Sequence, residues 1–357
     1  MNVGYPRITA RCGLALAFIV SAMPLVAQQT ATHTTAAAPV TVPVTVKTFD
    51  RAESDMYFGR AIKLGAFGKF YHYRTPTPIE KQEVVKMNRE TLYSTAVFDL
   101  DAGPVTVTLP DVGKRFMSML VINEDHYAPL EVSYAPARVT LTKEQCETRY
   151  IMVAIRTFAD FDSPADVKAA NAMQDKIQVQ QANIGKFEVP SWEPTSQGMI
   201  RDHLAALQSV SGATTEKRMG KREDVDPILH FMATATGWGL NPPEAAVYNN
   251  VYPKANEGKT VHRLTVKDVP VDGFWAISVY NEKNYFEKND LNSYSISSVT
   301  AKPNPDGSYT IQFGGCTKGT VNCLVTPSKW SYQVRQYRPR KEIIDGTWVF
   351  PVAQPVP

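Results

Sequence analysis

The spacing of apolar residues changes twice along the chain, and each change predicts a different kind of element. Phe49, Ala52, Met56, Phe58 and Ile62 recur at approximately helical intervals, and Gly65 and Gly68 end that helix. From residue 84 to 156 the pattern is β. In Val105-Thr106-Val107-Thr108-Leu109 apolar residues alternate with threonines, so one face of a strand is buried and the other is not. After the turn Pro110-Asp111-Val112-Gly113, residues 116–122 are apolar almost throughout, as in a central strand covered on both faces. Further strands are expected at 130–134, 137–141 and 150–156, and short strands punctuated in this way suggest a sandwich.

The texture turns helical near Asp162. Ser163-Pro164 with Asp166 is a helix start, since serine caps and proline suits the first turn. Residues 165–181 are helical by propensity, and 194–207 and 225–236 read as two more helices. After Asn241-Pro242-Pro243 the β pattern returns, with strands at 261–266, 274–280 and 330–338. Within them Trp275, Ile277 and Val279 share one face, as do Trp330, Tyr332 and Val334, while Gln333, Arg335 and Tyr337 lie on the opposite face. Asp306-Gly307 predicts a hairpin turn between 299–300 and 309–313.

Composition leaves this picture intact: 357 residues, 43% hydrophobic and 20% charged, are enough for two or three globular domains. The N-terminus does change it. Arg7 and Arg11 precede an apolar stretch at 13–20, and Leu25-Val26-Ala27 offers a small-residue cleavage site, so residues 1–27 read as a signal peptide and the protein as periplasmic or secreted. Residues 28–48, almost uncharged, read as a disordered linker. The expected domains are an N-terminal sandwich at 49–158, a helical segment at 159–245 and a C-terminal sandwich at 246–357. Removal of 1–27 leaves 36 basic and 35 acidic residues, a balance without the basic excess that a nucleic-acid partner requires, and no transmembrane segment is expected in what remains. Cys316 and Cys323 are close enough in sequence to form a disulfide, leaving Cys146 as a buried thiol.

Candidate chemistry gathers at three places. Asn88-Arg89-Glu90 opens an apolar run that includes Tyr93; Arg89 offers a planar fork of donors and Glu90 an acceptor or general base. The competing reading is a structural Arg–Glu pair beside a turn-forming asparagine. Glu124-Asp125-His126 ends the apolar strand and supplies acid–base groups, although adjacent strand residues point to opposite faces. Arg335 and Tyr337 form a polar ladder suited to an anion or a sugar, and Tyr280, Asn281 and Tyr285 add groups of the kind that line ligand pockets. The six histidines show no metal spacing, and the chain has no Gly-x-Ser-x-Gly, His-Glu-x-x-His, phosphate-loop or Cys-x-x-Cys motif. The sequence names no cofactor.

Asn88-Arg89-Glu90-Thr91-Leu92-Tyr93-Ser94, Gly103-Pro104 and Leu109-Pro110-Asp111 with Arg115-Phe116 resemble the bacterial domain of unknown function DUF1254. The stretches 270–280 and 289–297, Asp306-Gly307-Ser308, Arg335-Gln336-Tyr337-Arg338-Pro339 and Gly346-Thr347-Trp348 resemble its C-terminal companion, DUF1214. This chain has Glu90 where the family motif usually has aspartate, and its N-terminal domain is short. The resemblance implies a mainly β protein with an N-terminal immunoglobulin-like sandwich, a helical segment and a C-terminal jelly roll, and it implies no reaction. Two classes of function are expected. One is an exported protein that binds, and as an enzyme hydrolyses, a small polar or sugar-like molecule in an inter-domain cleft, with Glu90, Glu124, Asp125 or His126 as acid or base. The other is a non-catalytic cell-envelope binding module. The expected partner is a small-molecule ligand, with homo-oligomers left open.

Overall fold

Side-chain caps and prolines set the helix starts. In the computed structural model, which describes residues 41–82, 84–211 and 217–356, Ser163, Glu193 and Asp226 each accept a bond from the first turn of a helix that begins with proline. The N-terminal half runs α1 (Phe49–Lys63), β1 (Tyr71–His72), β2 (Thr91–Asp99), β3 (Val105–Leu109), β4 (Met117–Asn123), β5 (Ser133–Tyr134), β6 (Ala137–Leu141), α2 (Lys143–Cys146) and β7 (Tyr150–Phe158). Then come α3 (Pro164–Gln174), β8 (Gln178–Gln180), α4 (Pro194–Val210) and α5 (Pro227–Thr236). The C-terminal half holds β9 (Ala246–Val251), β10 (His262–Val266), β11 (Trp275–Tyr280), β12 (Ser295–Ser297), β13 (Tyr309–Phe313), β14 (Cys323–Leu324), β15 (Ser331–Tyr337), α6 (Lys341–Ile344) and β16 (Gln354–Pro355).

The protein is mainly β, in antiparallel sheets. A sheet of order β1-β2-β7-β4-β5 faces a smaller one of order β6-β3-β8, and Phe98, Val107, Met119, Val153 and Ile155 fill the space between them. In the C-terminal half β14-β13-β10-β16 faces β12-β11-β15-β9 over Trp275, Ile277, Phe313, Trp330, Tyr332 and Val334. The alternation on β11 and β15 therefore predicts their core faces correctly. Helices α4 and α5 pack on α1, with Phe49, Ala52, Leu204 and Met232 buried together.

Four local expectations change. The helix expected over 165–181 stops at Gln174, because residues 178–180 pair with β3 and Val179 packs against the sandwich core. Only residues 133–134 of 130–134 form a strand. Asp306-Gly307 makes a tight turn, with Gly307 at φ +81° and its N–H bonded to Asn304 O, but it is not a hairpin: β12 and β13 belong to different sheets. Residues 41–48, expected as the end of a disordered linker, are anchored, since Val42 N donates to Ser191 O at 2.8 Å and Val44 is buried in the helical cluster. The expected signal peptide and the rest of the linker lie outside the described residues. Cys316 and Cys323 are bridged, with their Cα atoms 5.7 Å apart, and Cys146 is free and buried, its thiol raised by that burial to about 12.

What positions the candidate residues is the way the two sandwiches meet. Phe116 and Phe158 of the first half pack with Ala246, Phe274, Ala276 and Tyr337 of the second. Gly273 lies at this seam: an added Cβ would lie 2.5 Å from Tyr337 O of its own half and 3.3 Å from the Phe116 ring of the other.

Candidate functional site

Asn88 shapes the turn that delivers Glu90. Its Oδ1 accepts from Glu90 N at 2.6 Å and Thr91 N at 3.0 Å, and its Nδ2 reaches Thr91 Oγ1 and, across the junction, Tyr337 OH at 3.1 Å. Glu90 is thereby placed under β11 and β15. Its Oε1 accepts from Ser278 Oγ at 2.8 Å and forms an ion pair with Arg335 Nη1 at 3.2 Å, both charged residues being 2% exposed. Arg335 also donates to Ser278 Oγ, Tyr280 OH and the carbonyls of Lys86 and Met87. Burial alone would lower the Arg335 guanidinium, but Glu90, Tyr280 and Tyr337 outweigh it, so it holds its proton more firmly than a free arginine. Burial, reinforced by Glu90, pushes the Tyr337 hydroxyl well above its usual value. Tyr93 lies alongside, its ring under Arg156 and its hydroxyl 3.4 Å from Arg156 Nε.

Glu90, Asn88, Tyr93, Tyr280, Arg335 and Tyr337 are thus brought together, as the ladder on β15 suggested, but against protein partners. Arg89 does not join those hydrogen bonds: its guanidinium lies over the Phe161 and Tyr294 rings beside a recess of about 30 Å³, room for about two waters, which Glu90 also lines. Asn281 and Tyr285 are not part of the cluster. They close the turn after β11, where Asn281 Oδ1 accepts from Lys283 N and Tyr285 N.

The second group lies not on the strand, where it was expected, but in the turn after β4, which ends at Asn123; there Glu124 and Asp125 both reach Arg51 while His126 turns away. His126 turns inward at φ +66°, its Nε2 accepting from Gly239 N at 2.9 Å and its Nδ1 meeting Thr234 Oγ1 at 2.9 Å. Both ring nitrogens are therefore engaged, and burial depresses the ring well below its usual value, leaving a neutral imidazole away from Glu124. Glu124 is 4% exposed; its Oε2 accepts from Tyr150 N at 2.9 Å and its Oε1 lies 3.4 Å from Arg51 Nη1. Burial raises its carboxyl. Asp125 pairs with Arg51 at 2.6 Å and Arg222 at 3.2 Å.

Beside Glu124 stands a carboxylate that the sequence reading passed over. Asp55, on α1, is 3% exposed; its Oδ2 accepts from Trp192 Nε1 at 2.7 Å and its Oδ1 is buried without a partner. Burial, aided by Glu124, raises it to about 7. A signal was present: Asp55 sits in a helix whose Asp50, Glu53 and Ser54 interrupt an apolar pattern; Glu53, Ser54 and Asp55 are buried and Asp50 is half-buried. Asp55 and Glu124 line one cleft of about 470 Å³. A larger cleft, about 680 Å³, opens between residues 128–134 of the first sandwich and the segments 217–224 and 242–245 around α5, with Ile344 as its one lining residue from the C-terminal half. Among the described residues no group of three His, Cys, Asp or Glu is placed to hold a metal ion, and no helix is long and apolar enough to cross a membrane.

Fold and site define a protein of two β-sandwiches joined through a buried ion pair and flanked by two clefts. It carries both domains of the expected pair in the expected order: DUF1254, a protein of unknown function, matches residues 67–126, and DUF1214, likewise of unknown function, matches 249–341. Thus Asn88-Arg89-Glu90 falls in one domain and its partners Ser278, Tyr280 and Arg335 in the other. The crystal structure of the VPA0106 protein from Vibrio parahaemolyticus is similar over 87% of this chain and 98% of its own, at 18% identity and a TM-score of 0.67, which shows a shared fold. An uncharacterised protein from Burkholderia cenocepacia aligns over 87% of both chains at 14% identity and a TM-score of 0.47. No curated protein matches the chain.

Proposed function

We propose that the protein is exported and binds a small, sugar-like molecule in the cleft between the first sandwich and the segments around α5. One observation carries this reading: this cleft, of about 680 Å³, has two-sided chemistry. Ligand sites typically span roughly 300–1,000 Å³. Leu130, Tyr134 and Pro243 supply apolar surface that the C–H face of a sugar ring can cover, and Lys217, Lys221, Asp224 and Glu244 supply partners for hydroxyls. The carboxylates Glu131, Asp224 and Glu244 are exposed, so this cleft is read as binding without catalysing. The competing inter-domain centre, Glu90 with Arg335, is filled by protein hydrogen bonds and supports a role in joining the domains rather than in turnover.

Export rests on the charged, apolar and small-residue order of residues 1–27, and the Cys316–Cys323 bridge supports an oxidising compartment. Titration calorimetry of the purified chain against a panel of mono- and disaccharides tests the binding. Saturable heat with at least one sugar, weakened about tenfold or more by Tyr134→Ala, is expected; no heat from any sugar, or full affinity in the variant, contradicts it. Cell fractionation tests export, with the mature protein expected outside the cytoplasm and starting near Gln28.

A further inference from the structure

We propose a second, catalytic site in the cleft beside α1, where Asp55 and Glu124 act as acid and base in hydrolysing a neutral glycosidic acetal. The strongest observation is the unfinished bonding of Asp55. In a residue 3% exposed, one carboxyl oxygen is tied to Trp192 while the other, buried, has no partner. An unpaired buried carboxylate is costly, and a proton on it converts the orphan oxygen into a donor. The folded environment favours that proton: burial and Glu124 hold the group near 7. Glu124 differs in its partners. Burial raises it too, but both of its oxygens have partners, Tyr150 N–H and Arg51, which favour its charged form, and this suits the base. Two carboxyls with different environments lining one cleft are the usual arrangement for splitting acid from base.

The rest of the lining selects the substrate class. Three cations border the cleft, and each already faces a carboxylate: Arg51 with Asp125 at 2.6 Å, Lys143 with Asp101 at 2.5 Å and Arg149 with Asp99 at 2.9 Å. An anionic substrate would have to break one of these pairs, so a neutral one fits better. Acyl transfer is disfavoured because no serine or cysteine lines the cleft, and the Thr148 hydroxyl is occupied, donating to Tyr150 O at 2.8 Å and accepting from Glu124 N at 3.2 Å. Acetal hydrolysis needs only two carboxyls and water. Protonated Asp55 gives its proton to the bridging oxygen, and the C–O bond breaks with its electron pair going to that oxygen. Water adds at the acetal carbon and passes a proton to Glu124. One water is consumed, two hydroxyl products leave, and solvent returns Asp55 and Glu124 to their starting states.

The test is release of reducing ends from a panel of α- and β-linked neutral disaccharides, compared with 4-nitrophenyl glycosides of the same sugars. Wild type is expected to turn over at least one disaccharide. Asp55→Asn should lower kcat by about 10²–10⁴-fold, and by less on the nitrophenyl glycoside, whose leaving oxygen needs little protonation. A merely structural role would depress both substrates equally. Glu124→Gln serves as a second variant and should slow both substrates. Failure of the wild-type chain to hydrolyse any member of either panel overturns the proposal, as does wild-type kcat in both variants, each verified as folded by circular dichroism. This site shares no lining residue with the cleft of about 680 Å³, so sugar binding without hydrolysis would overturn this inference alone.

Discussion

At the residue scale, Asn88 shows how a motif can be mistaken for a reactive centre. Its side chain satisfies two backbone N–H groups, a threonine hydroxyl and a tyrosine from the other half. Asn88→Ala leaves those groups unpaired in a largely buried turn, and each orphaned group costs about 1–3 kcal/mol. Urea denaturation should therefore show a loss of at least about 2 kcal/mol; a change of a few tenths would mean that water replaces the asparagine. That Asn88, Arg89 and Glu90 were special was legible in the sequence, because a polar triplet running into an apolar strand needs partners. Where the partners lie was not legible. Ser278 is 188 residues from Glu90 and Arg335 is 245 residues away, so no local pattern connects them.

At the element scale, β15 and α1 show opposite limits of pattern reading. Alternation on β15 separates Tyr332 and Val334 from Gln333, Arg335 and Tyr337, and the core confirms that division. It does not reveal that the polar face is buried too, since the cover comes from the other sandwich. In α1 the pattern misleads in a different way. Asp50 and Asp55 resemble solvated helix residues, yet burial raises them to about 6 and about 7. The sign of the consequence is fixed. Both folded values exceed those of the unfolded chain, so the contribution to stability is full below about pH 4 and is lost as pH rises through 6 and 7. Each group makes the slope steeper by up to about 1.4 kcal/mol per pH unit. His126 and His230, depressed by burial, add a slope of opposite sign between about pH 4.5 and 7.5, so the difference is the readout: Asp50→Asn with Asp55→Asn should make the change of unfolding free energy with pH less negative than in the parent while raising stability at about pH 7.5. Equal slopes in variant and parent would contradict the burial argument. If Asp55 is the acid of the second cleft, the same substitution stabilises the fold and removes the chemistry, as expected where a site stores unfavourable burial.

At the scale of the whole molecule, the two domains share one polar junction centred on Glu90 and Arg335. Gly273 lies against β15 with the Phe116 ring of the other half close by; Gly273→Ala should lower the melting temperature through a clash with Tyr337 O and crowding of Phe116. The central claim is that Glu90 and Arg335 join the domains and are not a reactive pair. A buried ion pair broken on one side leaves an uncompensated charge, at a cost of about 3–5 kcal/mol, whereas removing both charges together costs much less than the two single losses combined. The most direct test is the unfolding free energy of wild type, Glu90→Gln, Arg335→Met and the double variant by urea denaturation. A loss of about 3–5 kcal/mol on removing Arg335 alone, with the double variant well short of the sum of the singles, is the predicted result. A loss below about 1 kcal/mol in Arg335→Met, with the single effects simply adding, would contradict it.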